Sequence, residues 1–206
     1  LGFGREGKAV LKYLKKNKAY KNAEISILDK NTSPNYLKNL AKFDLVFRSP
    51  GVAYNSPEIQ GAVRAAVKFS SATKIFFDEA PCRIIGITGT KGKGTTSTLI
   101  YKIFKAAGYD AHLAGNIGRP AIEILPKLKK DSVAILELSS FQLHDLHKSP
   151  NISVVLDIFP DHMDSHTNFT DYFRAKSAIA RHQTSQDKIF HFSDNRHSSK
   201  IASLSK

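Results

Sequence analysis

Residues 83–107, which read RIIGITGTKGKGTTSTLIYKIFKAA, decide the fold. The apolar residues at 84–87 predict a buried strand, and the glycines after them predict a tight turn. A strand that leads through a glycine-rich turn into a helix directs backbone N–H groups and the positive helix end at one point, where an anion binds. The segment therefore predicts an α/β fold with a phosphate-binding loop. The helix that follows is expected to present one apolar face, made of Leu99, Ile100, Ile103, Phe104 and Ala107.

The loop resembles the common G-x-x-x-x-G-K-[ST] motif, but it departs from it in two places. Ile87 stands where the first glycine is expected, and Gly94 stands where a hydroxyl is expected. Lys93 supplies a mobile cation that can follow a transferred phosphoryl group, so the loop is predicted to bind ATP. The predicted ATP-binding residues are Thr88, Gly89, Thr90, Lys91, Gly92, Lys93, Gly94, Thr95 and Thr96.

Three further side chains lie near the ends of predicted buried strands or on a predicted helix. Glu137 lies near the end of a strand predicted for 133–138, at the sheet edge where α/β proteins bind ligands, and its carboxylate suits magnesium. His162 follows a strand predicted for 152–158 and could supply a nitrogen ligand to a second metal. Lys176 lies on the apolar face of a helix predicted for 171–182, where burial would lower the pKa of its ammonium group.

Together these segments resemble the Mur ligase family of ATP-dependent ligases, most closely its D-glutamate-adding members. The family loop resembles T-G-T-x-G-K-[ST], which accounts for Ile87. Folylpolyglutamate synthases of the same superfamily carry G-K-G-[ST], so a hydroxyl displaced by one residue is tolerable. We assign the magnesium-binding hydroxyl to Thr95, with Thr96 as the alternative. Other strings that carry the resemblance are GNIG at 115–118, ELSSFQL at 137–143 and DHMDSH at 161–166.

The resemblance also implies roles for individual residues. Lys93, His162 and Lys176 would be catalytic, and two magnesium ions would be held by Thr95, Glu137, His162 and Lys176. Lys176 would carry a carbamate, which turns its cation into an anion. The alternative is a lysine with a buried stem and a solvated amine.

A second glycine-rich turn opens the chain. Residues 2–7 read GFGREG, which fits G-x-G-x-x-G, and Asp29 follows at about the separation of a ribose-binding acid. Taken alone, the turn predicts a dinucleotide site, whereas the resemblance implies that it holds the diphosphate of a UDP substrate. Alternatively, Asp29 contacts no nucleotide and has only a structural role at the end of a strand. The residues implied to bind substrate are Gly4, Arg5, Asp29, Lys30, Ser49, Asn116, Ser139 and His162.

Two α/β domains are predicted, with a boundary at 78–82. Residues 1–80 would form a Rossmann-like parallel-sheet domain for the UDP substrate, and 81–206 the P-loop-type central domain that binds ATP. In the first we expect a helix at 8–14, strands at 23–27, 45–47 and 74–77, and helix starts at the Ser-Pro pairs 33–34 and 56–57. The chain opens inside a glycine turn, so we expect a fragment. It would lack the first strand, the end of the central domain and the C-terminal amino-acid-binding domain, and it would be inactive alone.

Composition narrows the possible partners. The formal net charge is +13, but the lysines and arginines are scattered along the chain. They do not alternate with aromatic residues, as they do on a surface that binds single-stranded nucleic acid. No apolar run is long enough to span a bilayer, and the single cysteine, Cys82, fits a reducing compartment. We expect a cytoplasmic monomer with no nucleic-acid or membrane partner.

The function implied by the resemblance is amide bond formation in peptidoglycan precursor synthesis. ATP would phosphorylate the L-alanine carboxylate of UDP-N-acetylmuramoyl-L-alanine, the amine of D-glutamate would attack the acyl phosphate, and ADP and phosphate would leave. Another Mur ligase and a folylpolyglutamate synthase-like ligase are the alternatives within the superfamily. From another class, the alternative is a nucleic-acid-binding P-loop ATPase.

Overall fold

The structure, a computed structural model, describes all 206 residues. Its helices are α1 (Arg5–Lys16), α2 (Pro57–Arg64), α3 (Ala72–Glu79), α4 (Lys93–Ala106), α5 (Ser140–Leu143), α6 (Phe169–Arg181) and α7 (Arg196–Ala202). Its strands are β1 (Leu45–Phe47), β2 (Lys68–Ser70), β3 (Arg83–Thr88), β4 (Ala111–Gly115), β5 (Val133–Glu137), β6 (Ile152–Val155) and β7 (Lys188–His191). No helix is both long enough and apolar enough to cross a membrane.

A five-stranded parallel sheet forms the larger part of the molecule, with the strand order β4-β5-β3-β6-β7. Every residue of β5 is buried, and so is every residue of β3 except Arg83. Strands covered on both faces read as continuous apolar runs, which is why the strands at 84–87 and 133–138 could be predicted. Because β3 lies in the middle of the sheet, its carboxyl end opens into the crevice where such folds bind ligands.

Helix α4 differs from the prediction for its apolar face. Ile100 and Phe104 pack against the sheet, whereas Leu99 and Ile103 are each 57% exposed. Successive helical residues are about 100° apart, so an apolar stripe of this width extends beyond the strip that the sheet covers.

The first part of the chain contains a two-stranded parallel sheet, β1-β2, with α1, α2 and α3 beside it. Two predictions of strands are wrong here. Residues 23–27 form no strand, and Ile25 and Ile27 are exposed, because alternation produces a strand only where a neighbouring strand supplies hydrogen-bond partners. Residues 74–77 belong to α3, whose start is fixed by the Ser71 side chain accepting from the Lys74 N–H at 3.1 Å.

The two Ser-Pro pairs behave differently. Pro57 stands in the first turn of α2, so the helix start at 56–57 is confirmed. The pair at 33–34 opens a series of turns and no α-helix, and the Ser33 hydroxyl accepts from the Asn35 N–H within that turn. A short polar side chain stabilises a turn as readily as a helix start, so the pair alone does not predict a helix.

Helix α3 contacts both parts of the chain. Its Ile75 packs beside α1, whereas Phe76 and Phe77 join the core cluster of the five-stranded sheet. The predicted boundary at 78–82 covers the end of α3 and the short segment before β3. The division into domains 1–80 and 81–206 stays a prediction.

Candidate active site

The glycine loop joins β3 to α4 at the carboxyl end of the sheet. Gly92 caps α4 with φ at +80°, a left-handed conformation that favours glycine. At Gly89 a Cβ would lie 2.7 Å from the Cβ of Leu156, the residue that follows β6, so the backbone passes too close to it for any side chain. Thr90 secures the loop, because its hydroxyl accepts from the Phe159 N–H at 2.9 Å and contacts the Tyr172 hydroxyl at 2.9 Å. The loop is therefore held by the segment after β6 and by α6 in a conformation that suits an anion.

Lys93 lies in the first turn of α4, and its ammonium group folds back over the loop. Its Nζ donates to the carbonyl oxygens of Gly89 at 3.0 Å and of Thr90 at 2.9 Å. No carboxylate holds this cation in a salt bridge. A long, flexible lysine side chain held only by backbone carbonyls can turn toward a phosphoryl group at the helix N-terminus.

Lys176, from α6, reaches the same loop and is only 2% exposed. Its Nζ donates to the Gly89 carbonyl at 2.9 Å and lies 4.7 Å from the centre of the Tyr172 ring. Burial, followed by the nearby charge of Lys93, lowers the pKa of the Lys176 ammonium group to about 7. A large fraction of this amine is therefore neutral near neutral pH, which makes it a nucleophile.

Glu137 ends β5 and is 2% exposed. Its Oε1 accepts from the Asn116 side-chain amide at 2.8 Å, whereas its buried Oε2 has no hydrogen-bond partner. A buried carboxylate oxygen without a donor calls for a cation or a donor from outside the chain. Hard divalent cations prefer such oxygens, so the residue fits a magnesium ligand.

Gly94, the departure from the usual loop motif, faces this carboxylate. A Cβ at position 94 would lie 3.2 Å from Glu137 Oε2 and 2.4 Å from the Ile117 Cδ1. The glycine therefore leaves room for Ile117 and places no side chain against the buried free oxygen of Glu137. Thr95 is exposed and Thr96 is half-buried, so the assignment of the magnesium-binding hydroxyl to Thr95 stays a prediction.

His162 is not joined to Glu137 or Lys176 by any hydrogen bond. Its backbone has φ at +55°, its side chain is 50% exposed, and its Nε2 lies 3.6 Å from the Asp161 carboxylate. Its ring lies 5.2 Å from that of Phe141. The role of His162 as a metal ligand stays a prediction.

The predicted substrate residues of the first turn surround its backbone. Asp29 accepts from the Phe3 N–H at 2.5 Å and from the Asn31 N–H at 2.8 Å, and these donors lower the pKa of its carboxyl group. The Ser49 hydroxyl donates to the Gly2 carbonyl at 2.6 Å. Asp29 and Ser49 therefore have structural roles at this turn, whatever they bind. Gly4 caps α1, and Lys30 is exposed.

The remaining predicted substrate residues lie at the loops after β4 and β5. Arg5 donates to the carbonyls of Asn116 and Gly118, at 3.0 Å and 2.9 Å. Ser139 caps α5 in a capping box with Gln142. The first turn of α1 is therefore joined directly to the loop that carries Asn116.

Two groups of polar residues near the site were missed by the sequence analysis. Glu6 accepts a hydrogen bond at 2.6 Å from Gln142, which the capping-box spacing S-x-x-Q could have singled out. Asp171 accepts from both His144 and His166 at 3.0 Å. Glu6 and Gln142 are 136 positions apart, and His144 is 27 positions from Asp171, so no local pattern predicts that these two pairs meet.

The comparisons with known proteins fit this geometry. Residues 87–206, more than half of the chain, match the family model described as the Mur ligase middle domain. A UDP-N-acetylmuramoylalanine–D-glutamate ligase of Acetivibrio thermocellus is 42% identical over 160 residues, which are 78% of this chain and 34% of that protein. The ligase of the same name from Symbiobacterium thermophilum is 43% identical over 152 residues, which are 74% of this chain and 33% of that protein. The chain thus spans about a third of the length of these relatives.

Solved structures show the same fold. The UDP-N-acetylmuramate:L-alanyl-gamma-D-glutamyl-meso-diaminopimelate ligase from Neisseria meningitides matches with a TM-score of 0.56 at 12% identity, covering 99% of this chain and 74% of that one. The MurF ligase from Thermotoga maritima in complex with ADP matches with a TM-score of 0.51 at 17% identity, covering 81% of this chain and 49% of that one.

Proposed function

The chain belongs to the Mur ligase family, and from that premise we propose that its protein forms an amide bond in peptidoglycan precursor synthesis, using ATP. The observation that carries the proposal is the convergence of three groups at the glycine loop. The amines of Lys93 and Lys176 both donate to the Gly89 carbonyl, and the free oxygen of Glu137 faces the next helix at Gly94. Two amines and a free carboxylate around a helix N-terminus suit phosphoryl transfer.

The substrates that we propose are ATP, UDP-N-acetylmuramoyl-L-alanine and D-glutamate, after the names of two relatives that are 42% and 43% identical to the chain over the matched residues. The γ-phosphoryl group of ATP passes to the alanine carboxylate oxygen, and ADP is released. The amine of D-glutamate then attacks the acyl carbon, the C–O bond to phosphate breaks, and the amine loses a proton. Lys93 acts here by following the charge of the phosphoryl group as it moves.

Lys176 is proposed to carry a carbamate. Its amine nitrogen, neutral in part because burial lowers its pKa to about 7, attacks the carbon of carbon dioxide and releases one proton. The product is an anion in place of a cation. That change removes the repulsion between Lys176 and Lys93 and adds a second acidic group beside the glycine loop.

The residues that would hold two magnesium ions are Glu137, His162, Thr95 and the carbamate of Lys176. Magnesium, when bound, would neutralise charge on the phosphate oxygens. The fit rests on the unpartnered Glu137 oxygen, since Asn116 orients the carboxylate through its other oxygen.

The first glycine turn is proposed to hold the UDP part of the substrate. Gly4 and Arg5 lie at the N-terminus of α1, and Asp29 and Ser49 brace the same turn. Asn116 accepts from Arg5 and donates to Glu137, and Ser139 is joined to Glu6 through Gln142, so we place the muramoyl-alanine part of the substrate beside these two residues.

A phosphate-release assay on the full-length gene product tests the proposal. UDP-N-acetylmuramoyl-L-alanine and dihydropteroate are each offered as acceptor with individual amino acids and Mg·ATP. We expect release only with the UDP substrate and D-glutamate together. Release with another amino acid would indicate a different Mur ligase, and release with dihydropteroate and L-glutamate would indicate a folylpolyglutamate synthase.

We also propose that the protein acts in the cytoplasm as a monomer without nucleic acid. The lysines and arginines are scattered along the sequence and are not interleaved with aromatic residues as in a platform that binds single-stranded nucleic acid. ATP hydrolysis that polynucleotides stimulate, in the absence of the UDP substrate, would contradict this part of the proposal.

A further inference from the structure

The first turn of α1 supplies two consecutive side chains that reach the loops of the five-stranded sheet. Arg5 donates to the carbonyls of Asn116 and Gly118 in the loop after β4. Asn116 in turn donates to Glu137 Oε1 at 2.8 Å and, through its backbone N–H, to the Glu137 carbonyl at 2.9 Å. A chain of direct hydrogen bonds therefore runs from α1 to the carboxylate whose other oxygen is free.

Glu6 reaches the neighbouring loop, after β5. Its Oε1 accepts from the Gln142 Nε2 at 2.6 Å, and Gln142 is only 4% exposed. The Gln142 Oε1 accepts from both the N–H and the hydroxyl of Ser139, each at 3.1 Å. A side-chain amide has one donating and one accepting end, so a carboxylate at position 6 fixes which end faces Ser139.

The Glu6 carboxyl group lies in a poorly hydrated place. Burial raises its pKa, while the hydrogen bond from Gln142 and the charges of Arg48 and Arg5 oppose that rise. A carboxylate in such surroundings depends on its donors, because losing one leaves an unpaired buried charge. This residue was in no predicted site, although it directly follows Gly4 and Arg5, which were.

We propose that Arg5 and Glu6 are positioning residues that set the loops after β4 and β5 relative to α1. A uridine nucleotide at the N-terminus of α1 would then be held at a fixed position relative to Glu137 and Ser139. Arg5 acts through Asn116 on the metal-binding carboxylate, and Glu6 acts through Gln142 on Ser139. The inference rests on the proposed function, because it requires a uridine substrate at the first turn and ATP at the second.

A swap of the Glu6–Gln142 pair in the full-length protein tests the role of Glu6. In Gln142→Glu two carboxylates would face each other where a 2.6 Å hydrogen bond now lies, although the introduced carboxylate can still accept from the Ser139 N–H and keep the capping box of α5. We expect kcat/KM for the uridine substrate to fall about 10- to 100-fold, while the affinity for Mg·ATP alone stays within about twofold.

The double variant Glu6→Gln/Gln142→Glu restores the pair with its donor and acceptor exchanged. We expect it to recover kcat/KM to within about threefold of the parent protein. Failure of the double variant to recover, or an equal loss of Mg·ATP affinity in Gln142→Glu, would overturn the positioning role. A parent protein with no turnover of the uridine substrate would instead refute the proposed function itself.

A magnesium titration tests the role of Arg5. We expect Arg5→Ala to weaken Mg²⁺ binding in the presence of ADP, measured by calorimetry, about tenfold, and to raise the Mg²⁺ concentration for half-maximal activity by a similar factor, because Asn116 and Glu137 lose their support. Lys8→Ala is the matched control, since Lys8 is exposed one turn further along α1 and its side chain makes no hydrogen bond. An Arg5→Ala protein with the magnesium dependence of Lys8→Ala would overturn this half of the inference.

Discussion

Two glycine-rich turns lead into helices in this molecule, and their surroundings differ in charge. The turn before α1 has Asp29 on the Phe3 N–H and Glu6 in the first helical turn. At the second glycine-rich turn, the first helical turn of α4 contains no acidic residue, and two lysine amines donate to the Gly89 carbonyl. The backbone at the two helix starts differs as well, since Gly4 is extended whereas Gly92 is left-handed, so two similar glycine patterns need not serve one function. In the proposed function Lys93 of the second turn follows the moving phosphoryl group, whereas the first turn, where Asp29 holds the Phe3 N–H, binds a nucleotide that is not cleaved.

The largest expected effect concerns Lys93, the mobile cation at the second glycine-rich turn. Lys93→Ala should lower kcat by about 10²- to 10³-fold, because the mobile charge at the transferred phosphoryl group is lost. Lys105→Ala, at an exposed position in the last turn of α4, is the matched control and should behave like the parent protein. Both are measured as ADP formation in the full-length protein. An active Lys93→Ala protein would remove the distinction between the turns.

A second effect concerns the buried amine of Lys176. Its folded pKa of about 7 is lowered from its usual value of 10.5, so the folded state binds fewer protons than the unfolded state between those values. Stability from this group therefore rises as pH increases from about 7 to 10.5, and the penalty for burying the charge is fully present below pH 7.

Lys176→Met should remove that penalty. We expect the free energy of unfolding to increase by about 1–4 kcal/mol at pH 6.5, and by much less at pH 10. Thermal unfolding of the 206-residue chain in bicarbonate-free buffer measures both values. The same variant of the full-length protein should lose ligase activity. A stability gain that is equal at both pH values would mean that the pKa of the Lys176 amine is not lowered by burial.

A third effect tests how rigid the glycine-rich turn before α1 is, by comparing substitutions at two of its glycines. A Cβ on Gly7 would lie 2.2 Å from the Gly2 carbonyl oxygen, whereas a Cβ on Gly4 would meet nothing within 4 Å. Gly7→Ala should therefore destabilise the chain by about 1–3 kcal/mol, and Gly4→Ala should have little effect. Denaturant unfolding compares the two. Equal stability of both variants would show that the turn adapts more freely than its packing indicates.

The smallest effect concerns the hydroxyl next to Gly94. Thr95→Val should raise the Mg²⁺ requirement of the full-length protein about tenfold, and Thr96→Val by less. Both changes keep the size of the side chain. A larger effect at Thr96 would transfer the magnesium role to that residue.

The parts of the fold and site that could be predicted from the sequence are those whose residues all lie within one short, continuous segment. The loop between β3 and α4 is recognisable because the strand, the glycines and the helix are consecutive, and Lys176 stands out because a lysine interrupts an apolar face. Residues 74–77 were predicted as a strand because a short apolar run fits a strand as well as a buried helix. The Glu6–Gln142 contact joins residues 136 positions apart, so no local pattern contains it.

The most direct test of the account is to follow a carboxylate oxygen. The acceptor UDP-N-acetylmuramoyl-L-alanine is labelled with oxygen-18 in its alanine carboxylate and turned over with D-glutamate and Mg·ATP by the full-length protein. If ATP activates this carboxylate as an acyl phosphate, each released phosphate carries one labelled oxygen. Unlabelled phosphate, formed while the amide product accumulates, would contradict the proposed transfer at the glycine loop.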